Sequence, residues 1–118
     1  MSKALAFAAV AEAATGAALL AVPSLVGQLL FGVALDGVAV PAARVAGLAM
    51  IALAVAGWRG SPLLGMLTYN ALVTLYLAVV GLAGGLTGVL LWPTVALHAV
   101  MTALLARAAT REPGARAT

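Results

Sequence analysis

The chain has 118 residues, of which 65% are hydrophobic, 8% are charged and none is cysteine, with a formal net charge of +3. Ordinary soluble domains carry about a quarter charged residues, so a water-soluble fold is excluded. The lack of cysteine removes disulfide scaffolds, cysteine zinc sites, iron–sulfur clusters and thiol chemistry.

A crossing of a hydrocarbon core of about 30 Å takes about 20 apolar residues, so this length allows about four or five helices. Four fit the charge positions best. The apolar residues do not alternate with polar ones as in a transmembrane barrel. The expected fold is therefore all-α: one domain, residues 1–118, forming an integral membrane bundle of four transmembrane helices.

The first span is placed at Ala4 to Val22, with Glu12 near its middle. An alternative span, Ala13 to Leu35 kinked at Pro23, would leave Glu12 at the boundary. With the first placement, Ser24 to Leu35 becomes a short interfacial segment with Leu25, Leu29, Leu30 and Val33 at helical spacing. The uncharged stretch between Arg44 and Arg59 is too short to span a bilayer alone, so Arg44 must lie inside the second span, Val38 to Trp58, with Asp36 as its cap. At 1.5 Å per residue Arg44 sits roughly 9 Å below the boundary, where snorkelling offsets part of its cost. Ala42, Ala46, Gly47, Ala52 and Ala56 give this span small-xxx-small spacings suited to close helix packing.

No charged residue occurs between Arg59 and Arg107. This stretch is too long for one crossing and must turn at Gly84-Gly85. The third span then starts at the capping Ser61 and Pro62 and runs to about Leu82. The fourth starts between Leu86 and Val89 and runs to Ala109, with Pro113-Gly114 stopping any continuation into a tail over 110–118. Gly81-xxx-Gly85 and Gly84-xxx-Gly88 add two further small-residue spacings.

Lys3, Arg59, Arg107, Arg111 and Arg116 all fall on one side if the termini share a side. That bias predicts cytoplasmic termini in a multi-pass protein of a bacterial inner membrane, and explains the net charge without nucleic-acid binding. Trp58 and Trp92 then mark opposite interfaces. A cleaved signal peptide is not expected, because Glu12 interrupts the apolar run.

Each span carries one strongly polar residue at depth: Glu12, Arg44, Asn70 and His98. An unpaired charge at the bilayer centre costs about 2.5–3.5 kcal/mol on insertion scales, so these residues are expected to face inward and share a network. Such a network either fixes helix order or makes Glu12 a proton or cation site and Arg44 an anion contact. Thr94, His98 and Thr102 form one stripe, Asn70 and Thr74 a shorter one flanked by Tyr69 and Tyr76. The threonines can satisfy carbonyls of their own helix, whereas an imidazole can also relay protons or ligate a cofactor. A single histidine cannot supply two axial haem ligands, and Glu12 with His98 is too small a set for a catalytic metal. No nucleophile triad, phosphate loop or dinucleotide fingerprint is present, so neither an enzyme nor a cofactor or metal protein is expected.

The segments Glu12-Ala-Ala-Thr-Gly16, Ala43-Arg44-Val-Ala-Gly47-Leu, Met66-Leu-Thr-Tyr69-Asn70 and Leu91-Trp92-Pro93-Thr-Val-Ala-Leu-His98 resemble a set of small uncharacterised bacterial four-helix membrane proteins. That resemblance implies no activity. Ala11-Glu12 followed by Gly16 is similar to the first helix of small multidrug resistance transporters, where a membrane glutamate takes protons and cationic drugs in turn. It implies a coupling role for Glu12. The likeness stops there, since Arg44 and the one-sided charge bias depart from those transporters. The sequence is read first as a non-enzymatic accessory or binding protein of the lipid bilayer. Its partners would be other membrane subunits or further copies, met through small-residue faces. Proton-coupled cation transport is the alternative.

Overall fold

The computed structural model describes residues 1–111. The expected stop at Pro113-Gly114, and Glu112 and Arg116 of the tail, lie outside the described residues. Five helices follow in chain order: α1 (Lys3–Ala21), α2 (Pro23–Phe31), α3 (Ala39–Arg59), α4 (Pro62–Ala83) and α5 (Leu91–Arg111). All but α2 are long and apolar enough to cross a membrane. The fold is all-α, with four helices of transmembrane length.

Local chemistry sets the ends. Ser2 Oγ accepts from the Leu5 N–H at 3.0 Å, and Ser61 Oγ from that of Leu64 at 3.1 Å. Each satisfies one of the donors a helix leaves unpaired in its first turn. Pro62 occupies the first position of α4, where its missing N–H costs nothing. Gly60 ends α3 with φ 61°, a left-handed conformation that favours glycine. Asp36 does not cap α3 with its side chain: the cap position falls at Val38, and Asp36 contributes its backbone carbonyl to the Ala39 N–H. The fourth long helix starts at Leu91, later than the glycine spacing implies, and Pro93 sits in its first turn. Residues 110 and 111, expected in the tail, continue this helix.

Val22 (φ −136°, ψ 59°) breaks the chain between α1 and α2. A continuous kinked span from Ala13 to Leu35 is therefore not formed. Instead Ser24 Oγ donates to the Leu35 carbonyl at 2.6 Å, folding the return strand of chain over the nine-residue α2. Leu25, Leu29, Leu30 and Phe31 of α2 remain exposed.

The long helices pack in chain order, α1 on α3, α3 on α4 and α4 on α5, with α2 leaning on α1 and α3. The Cα envelope measures 43 × 35 × 15 Å, so the bundle is open and flat. Its radius of gyration, 15.6 Å, exceeds the roughly 13.5 Å of a compact domain of this length. The reason lies in α3, which has small residues on two opposite faces. A Cβ on Gly16 of α1 would lie 2.6 Å from the Gly47 carbonyl oxygen, and one on Gly47 an equal 2.6 Å from that of Gly16. On the other side, a Cβ on Gly65 of α4 would meet the Ala56 Cβ at 2.5 Å and the Ala52 oxygen at 3.1 Å. Gly47 and Ala56 are nine residues apart, half a revolution at 100° per residue. Backbones approach closely on both sides, and α3 becomes an inner member of a row.

The glycines near the second turn act differently from the expected packing spacing. Gly84 and Gly85 have φ 78° and 88° with nothing near a would-be Cβ, so they shape the turn. Gly81 alone is a contact, beneath the Trp92 indole, where a Cβ would meet Cζ2 at 2.6 Å. Trp58 lies at the C-terminal end of α3 and Trp92 at the N-terminal end of α5.

Candidate functional site

The four polar residues at depth separate into four local arrangements. Arg44 does not pair with Glu12. Its Nε donates to the Leu20 carbonyl at 3.1 Å, in the last turn of α1. That carbonyl needs a donor because the helix breaks at Val22, so the continuing backbone no longer supplies the N–H four residues on. The guanidinium also sits where the helix macrodipole is negative.

Glu12 lies eight residues before Leu20, about 12 Å along α1 at 1.5 Å per residue. It is half-buried in a cleft of ≈ 280 Å³ between α1 and α3, beside Leu5, Ala9, Leu53 and Gly57. Among the described residues it forms no ion pair and no hydrogen bond. The antiparallel crossing at Gly16 and Gly47 explains the separation: it sets Arg44 level with the end of α1, one side of the crossing, and Glu12 on the other.

Asn70 is 0% exposed in the middle of α4. Its Nδ2 donates to the Met66 carbonyl at 2.8 Å, whereas its Oδ1 is buried with no partner among the described residues. Thr74 Oγ1 donates to the Asn70 carbonyl at 2.6 Å, so their stripe is tied to its own helix.

His98 forms the fourth arrangement, at the α4–α5 contact. Its Nδ1 lies 2.9 Å from the Thr94 carbonyl. A carbonyl only accepts, so Nδ1 carries the proton and Nε2 keeps its lone pair in the neutral ring. The Tyr69 ring meets the imidazole edge-on, centroids 6.1 Å apart and planes at 64°. Thr102 Oγ1 donates to the His98 carbonyl at 2.7 Å. Thus Tyr69 and His98 are brought together across helices. Glu12, Arg44 and Asn70 share no hydrogen bond with one another or with His98 among the described residues. No group of three or more histidine, cysteine, aspartate or glutamate side chains is placed to hold a metal there.

Two features were not singled out from the sequence. One is the Leu20 carbonyl, for which Pro23 is the available signal, since a proline ends the helix before it and frees its last acceptors. The other is the placement of Tyr76, named from the sequence only as a flank of the Asn70–Thr74 stripe, in a cleft that Arg44 also lines between α3 and α4. No family model matches the chain, and neither a curated protein nor a solved structure matches it.

Proposed function

We propose that the protein is a non-enzymatic accessory or binding component of a bacterial inner membrane, acting within a larger membrane assembly or as a homo-oligomer. This reading keeps company with the resemblance to small bacterial four-helix membrane proteins. The observation that carries it is the flat row. Four membrane-length helices in one open layer leave large side chains such as Phe7 on α1 and Leu104 on α5 facing outward, and enclose little interior in which a reaction could be isolated. Most polar groups at depth are spent on backbone carbonyls of the fold. Native mass spectrometry of a mild detergent extract tests it: foreign subunits or a defined multiple of this chain are expected, and a bare monomer under all extraction conditions overturns it.

Both termini face the cytoplasm in this proposal, because Lys3, Arg59, Arg107, Arg111 and Arg116 share that side. A reporter active only outside the cytoplasm, fused after Thr118, should be silent, and activity would reverse the orientation.

One observation favours proton-coupled cation transport as the second reading. Glu12 has no cationic partner among the described residues and opens into a cleft, so Arg44 does not compete for it. Proteoliposome uptake of a lipophilic cation driven by a proton gradient, lost in Glu12→Gln, would put this reading first.

A further inference from the structure

Arg44 spends one of its five N–H donors on the Leu20 carbonyl. Arg44 also lines a second cleft, of ≈ 260 Å³, between the start of α3 and the end of α4. Its lining includes Gly37 and Val40 near the start of α3, and Tyr76, Val80 and Gly84 toward the end of α4. Among the described residues no carboxylate pairs with Arg44, and the Tyr76 hydroxyl has no hydrogen-bond partner. The lining of the cleft thus combines a cation and a neutral donor with otherwise apolar residues, near the ends of two helices of membrane length. Arg44 lies five residues into α3, about 7.5 Å from the helix start, within reach of a headgroup at the boundary for a snorkelling side chain.

We propose that this cleft is a binding site for a phosphate oxyanion. Arg44 supplies the charge and charge-assisted hydrogen bonds from its Nη groups, and Tyr76 adds a neutral O–H donor. The walls accept what is attached to the phosphate. A phosphodiester of a lipid headgroup fits by laying its acyl chains along the α3–α4 face, and a free phosphate would enter from the aqueous side. The site uses neither Glu12 nor any assembly contact, so it stands apart from the function proposed above.

The test is native mass spectrometry of the full chain in a neutral detergent, titrated separately with phosphatidylglycerol, with diacylglycerol of the same acyl chains, and with inorganic phosphate. Discrete phosphatidylglycerol adducts are expected, with diacylglycerol adducts scarce. Arg44→Gln should weaken them about tenfold and Arg44→Lys by less, as expected for loss of a charge-assisted contact. Competition by millimolar inorganic phosphate would assign the site to free phosphate, and its absence to the lipid headgroup; both support an oxyanion site. Arg44→Gln also removes the bond to α1, so Tyr76→Phe, which deletes only a hydroxyl, provides the independent variant and should weaken adducts about threefold. Equal adducts of phosphatidylglycerol and diacylglycerol, no phosphate adduct of either kind, or unchanged binding in both Arg44→Gln and Tyr76→Phe would overturn the proposal.

Discussion

Among the described residues Asn70 is the most completely buried polar side chain, yet only half of its amide is used: Nδ2 meets the Met66 carbonyl and Oδ1 meets no partner. A buried orphan acceptor costs about 1–3 kcal/mol, whereas an apolar side chain of similar volume leaves no such debt. Asn70→Leu should therefore leave stability unchanged or raise it by about 1 kcal/mol, read from detergent unfolding followed by circular dichroism. A loss of several kcal/mol would mean that Asn70 satisfies a group outside this chain or a bound water. The charged residues allow a sharper separation. Arg44 bonds a helix-end carbonyl and stands about two helical turns from Glu12, so the two should act independently. Arg44→Gln should cost about 1.5–3 kcal/mol, the scale of a hydrogen bond to a charged group. Adding Glu12→Gln should neither rescue nor deepen that loss by more than about 0.5 kcal/mol. Strong coupling in that cycle would restore the ion pair expected from charge alone.

At the scale of helices, Gly16 and Gly47 mark a close backbone approach, where each would-be Cβ falls 2.6 Å from the other's carbonyl oxygen. Backbone atoms cannot turn aside as a side chain can, so Gly16→Ala or Gly47→Ala must push α1 off α3, at about 1–3 kcal/mol. Gly57→Ala on the same α3, whose Cβ would lie 3.5 Å from Leu5 Cδ1, should be tolerated, and unfolding of the three variants side by side checks this ranking. The helices themselves were legible because each signal is local: a serine cap and Pro62, Gly84-Gly85 at a turn, and apolar runs of membrane length. The small residues of α3 were also legible as packing positions. What depended on pairing between helices was not. Glu12 and Arg44 looked like partners at similar depth, but axial position is counted from helix ends, and the crossing point at Gly16 and Gly47 is fixed only when two helices meet. The Tyr69–His98 contact likewise spans two helices, and only the presence of both residues, not their meeting, was readable.

For the molecule as a whole, one layer of helices makes a claim about which edges can meet. α1 packs on α3 and α5 packs on α4, at opposite edges of a sheet 35 Å wide in its shorter lateral dimension. The native chain has no cysteine, so introduced pairs report without background. Leu5→Cys with Gly57→Cys, on helices that touch, should cross-link within one chain and leave the gel mobility of a monomer. Val10→Cys on α1 and Leu104→Cys on α5, both on exposed positions, are separated by the intervening helices. A disulfide needs Cα atoms within about 7 Å, so this second pair cannot close within a flat row. If copies associate edge to edge, mixing the two single variants before oxidation should yield a dimer band. If instead the double variant closes efficiently within single chains at high dilution, α1 and α5 are neighbours in the membrane. The row would then be a bundle closed on itself, and the outward-facing edges on which the accessory reading rests would not exist.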